Sequence, residues 1–176
     1  MKKNSTENTF IIKNKPVIIY LLMIVTLFIL FCFLDYHILP ASKTTDKVTH
    51  YTLKNTSSKR RSKPQTISYH YYTQNGFTFS TAKSYIEEKD IELEHSLILK
   101  SVRKVKSGDK DYTNILTNDL SINGILFYFC CTLLLSIAIS LKILHSKKAF
   151  SENTFYNIIC FNTFMILVCL YMTYLY

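Results

Sequence analysis

The sequence predicts an α+β membrane protein: three transmembrane helices plus a small, mainly antiparallel β extracytoplasmic domain inserted between helices 1 and 2. Two observations carry this. Residues 17–34 (VIIYLLMIVTLFILFCFL), 124–141 and 154–176 contain no Asp, Glu, Lys or Arg. At a rise of 1.5 Å per residue, about 18 helical residues cover about 27 Å, close to the roughly 30 Å of a bilayer's hydrocarbon core. The stretch 40–120 is polar instead, and its apolar residues recur every second position, the period of a half-buried strand. The average composition hides this division, because 48% hydrophobic residues and a mean hydropathy of +0.12 would also suit a soluble domain.

Charge sets the expected orientation. The formal net charge is +9, and much of the excess flanks the apolar runs: Lys2, Lys3, Lys13 and Lys15 before the first, Lys142, Lys147 and Lys148 between the second and third. By the positive-inside rule these segments face the cytoplasm, so residues 40–120 and the C-terminus are expected outside. The same rule, with anionic lipid head groups, accounts for the basic excess, and no nucleic-acid partner is expected. Richness in Lys, Asn and Ile points to an AT-rich bacterial genome and a plasma (inner) membrane, which takes weight from the sequon Asn55-Thr56-Ser57. The five cysteines, Cys32, Cys130, Cys131, Cys160 and Cys169, all fall in the apolar runs. There they read as small hydrophobes, with no disulfide framework. Cys130 and Cys131 point about 100° apart on a helix and have no His or carboxylate nearby, so no zinc site is expected.

In chain order, residues 1–15 are expected as a cytoplasmic segment and 16–39 as helix 1. Its apolar core is too long for a cleaved signal, and no A-x-A site follows. Asp35, Tyr36 and His37 are expected at the outer end, with Asp35 reaching water and Pro40 ending the helix. Residues 40–120 form the β-domain. Residues 48–53 read as a strand, followed by a basic loop, Lys59, Arg60, Arg61 and Lys63, a candidate contact for anionic lipid or a partner. Ile67, Tyr69 and Tyr71 then alternate with Ser68, His70 and Tyr72. Asn75-Gly76 predicts a type I′ hairpin returning through Phe77 and Phe79. A helical turn or two is expected over 82–89, anchored by Tyr85 and Ile86. Strands are expected around Ile91 and Leu93, and again over 97–106, before a turn at 107–109. Four to six strands result.

Helix 2 is expected at 121–144, a cytoplasmic loop at 145–152 and helix 3 at 153–176. Thr132, Ser136 and Ser140 recur every four residues, a ridge of small hydroxyls that lets helices approach closely in lipid; Asn157 or Asn162 of helix 3 can hydrogen-bond to it. Asn162 could instead line a polar path, although three spans with no buried charge and no Pro make a poor transporter.

No catalytic constellation emerges. His37, His50, His70, His95 and His145 are scattered singly. The acidic run Glu87, Glu88, Asp90, Glu92 and Glu94 has the alternation of a wet strand face and lacks a Gly-punctuated cation loop. No enzyme activity, cofactor or metal is expected. The anchor, the segment YHYYTQNGFTF with Tyr69, Tyr71, Gly76 and Phe79, and the strands between Ile91 and Val105 together resemble uncharacterised bacterial membrane proteins with an N-terminal span, a small extracytoplasmic β-domain and further C-terminal spans. The resemblance implies an architecture and no activity. The function expected is presentation of the β-domain to an envelope protein or glycan. An immunity-type or regulatory membrane subunit is the alternative, and a small transporter component stands third.

Overall fold

The computed structural model describes residues 3–55, 66–82, 84–117, 120–146 and 151–175. The chain forms two compact units, Met1–Phe31 with Tyr128–Leu175, and Cys32–Phe127. Helices α1 (Lys3–His37), α2 (Ile125–His145) and α3 (Glu152–Leu175) contain three stretches long and apolar enough to cross a membrane: Lys13–His37, Ile125–His145 and Glu152–Thr173. Helix α1 starts well before residue 16, because lipid-crossing hydrophobicity marks a span and not a helix start. Residues 3–15 contain no Gly and continue the helix, with Pro16 inside it. At the other end α1 stops at His37, and the N–H groups of Ile38 and Leu39 both donate to the Leu34 carbonyl at 3.0 Å.

Burial along the helices follows a period of 3.5. In α2 the buried residues are Leu126, Cys130, Leu133, Ile137, Ser140 and Leu144, alternating steps of four and three; in α3 they are Phe155, Ile158, Asn162 and Met165. That spacing keeps one seam facing inward along the whole helix, as in coiled coils and many membrane bundles.

The second unit is built on a six-stranded antiparallel curled sheet of order β3-β2-β1-β4-β5-β6. Its strands are β1 (Ser42–Asn55), β2 (Thr66–Thr73), β3 (Thr78–Ala82), β4 (Asp90–His95), β5 (Val102–Ser107) and β6 (Lys110–Asp111). The long β1 is the spine. Its first half, from Ser42 to Lys47, pairs with β4, and its second half, from Val48 to Asn55, pairs with β2. After β6 the chain makes a 3-10 turn at Thr113–Ile115, and Leu116 then bridges Thr81 of β3, with the Thr117 N–H donating to the Ser80 carbonyl at 2.9 Å. Five residues from Asp111 to Leu116 reach at most about 18 Å, so the two sheet edges lie within that distance and the sheet is curled. The outer edge of β3 is thereby covered instead of left as a template for aggregation. The core consists of Tyr71, Phe79, Ile86, Ile91, Leu93, Val102, Val105 and Leu116.

Four expectations are corrected here. The β2–β3 hairpin exists, but its turn is not type I′, which needs left-handed backbone at both central residues. Only Gly76 is left-handed there, with φ of 84°, and the turn runs through residues 74–77. It is closed by Thr73, whose hydroxyl accepts the Phe77 N–H at 3.0 Å, and held by Asp46, whose carboxylate accepts the Asn75 N–H at 3.2 Å. Residues 84–89 form no helical turn; the Ile86 N–H donates to the Tyr71 hydroxyl at 2.8 Å, and Ile86 is buried in the core. Strand β5 begins at Val102, because residues 97–101 form a loop. Asp35 does not reach water: its relative exposure is 0%.

Across the sheet two members of the acidic run, Asp90 and Glu94, are paired with lysines of neighbouring strands. Glu94 lies 3.3 Å from Lys43 and 3.0 Å from Lys104 on the flanking strands, and Asp90 lies 3.3 Å from Lys47. The hydrogen bond from Lys104, opposed by partial burial and helped by Lys43, holds the Glu94 carboxyl below the ordinary glutamate range. A lowered folded-state value means stabilisation that is complete above about pH 4.3, the unperturbed value, and is lost as the pH falls through the lowered one. The stability advantage of the wild type over Glu94→Gln is therefore expected to shrink in that acidic window, as measured by denaturant titration in detergent at neutral and acid pH. At Gly76, a Cβ meets nothing within 4 Å, so Gly76→Ala carries only the left-handed backbone penalty. A loss of about 1 kcal/mol in the same titration is expected.

Candidate functional site

The core face of the sheet runs out at one end into exposed aromatic rings. Cross-strand pairing puts Tyr51 opposite Tyr71, Leu53 opposite Tyr69, and Tyr71 opposite Phe79, so these side chains share one face. Phe79 and Tyr71 are buried and stacked, with centroids 5.0 Å apart and planes at 14°. From Tyr71 the rings continue outward. Tyr85, carried by the β3–β4 connection, meets Tyr51 edge-on at 5.0 Å and Tyr69 at 5.5 Å, and Tyr51 lies 6.1 Å from Tyr69. Tyr51, Tyr85 and Leu53 are 43%, 42% and 48% exposed. The Ile86 N–H on the Tyr71 hydroxyl pins the chain one residue after Tyr85, and this sets the Tyr85 ring beside its neighbours.

Burial is the main cause raising the Tyr71 phenol above its ordinary range, and the Tyr85 phenol is raised too, by desolvation first and Tyr51 second. Both stay neutral at physiological pH. The lip thus offers ring faces and hydroxyls without charge. Such a surface binds by stacking and by phenol hydrogen bonds, since Tyr combines large contact area with a polar handle and loses little side-chain entropy. The opposite face carries a second exposed pair, His50 stacked on Tyr72 at 4.5 Å.

The candidate contact Lys59, Arg60, Arg61 and Lys63 lies outside the described residues. Among the helix residues singled out from sequence, the structure brings together Ser136, Ser140 and Asn162. The Asn162 carbonyl oxygen accepts from the Ser136 hydroxyl at 3.0 Å, while its amide nitrogen donates to the Ser140 hydroxyl and to the Ile158 carbonyl, each at 2.8 Å. Thr132 instead donates to the Tyr128 carbonyl of its own helix at 2.9 Å. Three of the histidines are engaged by hydroxyls: His70 lies between Ser68 and Ser80, at 3.1 and 2.8 Å, His95 lies 3.2 Å from Thr44, and His50 lies 3.1 Å from Thr49. Among the described residues no three His, Cys, Asp or Glu side chains converge as a metal site.

Two residues that sequence reasoning passed over, Arg103 and Asp46, and one that it placed in water, Asp35, organise the second unit. The Asp35 carboxylate accepts the N–H groups of Ile98 and Leu99 at 3.1 and 3.0 Å. Arg103 donates to the carbonyls of Leu39, at 2.8 Å, and Asp35, and lies 5.8 Å over the Tyr36 ring. Asp46 binds the hairpin turn and the Lys47 N–H at 2.7 Å. A legible signal existed for one of them: Arg103 is the only arginine outside the 60–61 pair.

No protein-family model, characterised protein or solved structure matches this chain.

With both ends of its amide engaged, Asn162 is expected to hold α2 against α3. Asn162→Leu should lower the stability of the helical unit by about 0.6–2 kcal/mol, and Ser136→Ala, which leaves the Ser140 bond intact, by less. Reversible unfolding in mixed micelles reads both.

Proposed function

We propose that this is a non-enzymatic integral membrane protein of a bacterial plasma membrane that presents its β-domain outside the cytoplasm to an envelope protein or glycan. The observation that supports this best is the aromatic lip. The core of the sheet is already closed by Tyr71, Phe79 and their neighbours, so Tyr51, Tyr85 and Leu53 are not needed to complete it. Clustered exposed aromatics at the end of a finished core are the usual composition of a recognition surface. The lysines flanking the apolar runs support the orientation.

A photo-reactive phenylalanine analogue at position 85 or 51, introduced in growing cells, is expected to give discrete cross-linked adducts. The same analogue at Lys110, on the exposed edge strand β6, is the control. Adducts from the control alone, or from no position, would contradict the proposal. Topology reporters placed within 59–63 and after Tyr176 should both report the extracytoplasmic side. Reporters on opposite sides would refute the orientation.

A further inference from the structure

The loop between β4 and β5 carries Leu97, Ile98 and Leu99, which are 50%, 55% and 45% exposed. Single exposed apolar side chains are ordinary on a protein surface, but three consecutive ones at a loop tip are not. This loop is held firmly. Its two ends are tied by the Ser96 N–H on the Ser101 carbonyl at 2.9 Å and by the Ser101 N–H on the Ser96 hydroxyl at 3.1 Å. Lys100 takes a left-handed backbone, with φ of 55°. The N–H groups of Ile98 and Leu99, at its tip, are bound by Asp35.

The position of Asp35 decides what the tip meets. Asp35 directly follows the uncharged run 17–34, whose last member, Leu34, is 48% exposed within the same compact unit. A backbone atom 3 Å from the Asp35 carboxylate lies at the level where that run ends, which is the boundary between acyl chains and head groups if α1 crosses a bilayer. Apolar side chains displayed there, followed by a lysine, have the composition of an interfacial anchor: the aliphatic groups enter the acyl boundary and the ammonium stays with the phosphates.

We infer that residues 97–99 are a membrane wedge, inserted shallowly into the bilayer leaflet in which α1 ends, with Lys100 at the phosphate layer. The inference rests on the reading of α1 as a membrane span. It goes beyond the proposed function by giving the β-domain a second lipid contact, separate from the aromatic lip.

The chain contains no tryptophan, so single substitutions give unambiguous fluorescence reporters in the full-length protein reconstituted into phosphatidylcholine vesicles. Three variants are needed: Ile98→Trp at the loop, Leu27→Trp in the middle of the α1 run, and Tyr72→Trp on the exposed sheet face. Lipids brominated near the head group or near the chain end then report depth by quenching. Ile98→Trp is expected to emit at blue-shifted wavelength and to lose most of its emission to shallow bromines, and Leu27→Trp to deep ones. Tyr72→Trp should stay red-shifted and unquenched. If Leu27→Trp is quenched while Ile98→Trp behaves like Tyr72→Trp, the wedge is refuted and the span stands. If neither is quenched, both fall. Leu99→Trp repeats the measurement should Ile98→Trp fail to fold, and the same shallow quenching is expected.

Discussion

The buried carboxylate of Asp35 joins a membrane-length helix to a β-domain through the backbone of another loop. With no exposure to solvent, this group is tolerable only because its oxygens are hydrogen-bonded, here by the N–H groups of Ile98 and Leu99. The same junction satisfies the helix end. A helix leaves its last carbonyls without partners and carries partial negative charge there, and the Arg103 guanidinium donates to the carbonyls of Asp35 and Leu39. Tyr36 adds a hydroxyl bond to the Val102 carbonyl at 3.4 Å. Strand β5 and its preceding loop are therefore bound to the last turn of α1 and the residues just after it, all within the Cys32–Phe127 unit.

Asp46 repeats the device inside the sheet. It sits where β1 changes partner from β4 to β2, and by accepting the Asn75 N–H it fastens the β2–β3 hairpin to the spine. A domain of this size buries a modest share of its surface and lacks disulfides, so fixing loops by buried carboxylates limits the conformations open to it. Covering the β3 edge with Leu116 and Thr117 serves solubility in the same way.

Patterns that depend on one segment alone were legible in the sequence. The uncharged runs announce the helices, and Ile91 and Leu93 alternating with Glu92 and Glu94 announce β4, because burial on one face leaves a local period. The hairpin was legible from Asn75-Gly76, but its turn was not, since Thr73 and Asp46 select the geometry from outside the dipeptide. Leu97, Ile98 and Leu99 look like the start of a strand by composition. They form a loop because Asp35, more than sixty positions away in the chain, takes two of the N–H groups a ladder would use. The aromatic lip was hidden for a related reason: Tyr51, Tyr69 and Tyr85 come from three segments, and only the pairing register brings their rings together.

The strongest constraint lies at one end of α1, where Asp35 holds the 97–101 loop, and the exposed tyrosines lie on the β1–β2 side of the same sheet. Amide hydrogen exchange at Ile98 and Leu99 in the reconstituted protein tests the constraint most directly. Both amides should exchange as slowly as those of the core strands β4 and β5, and replacing Asp35 by Ala should release both together. Fast exchange at these positions in the wild type, or protection that survives the loss of the carboxylate, would contradict it.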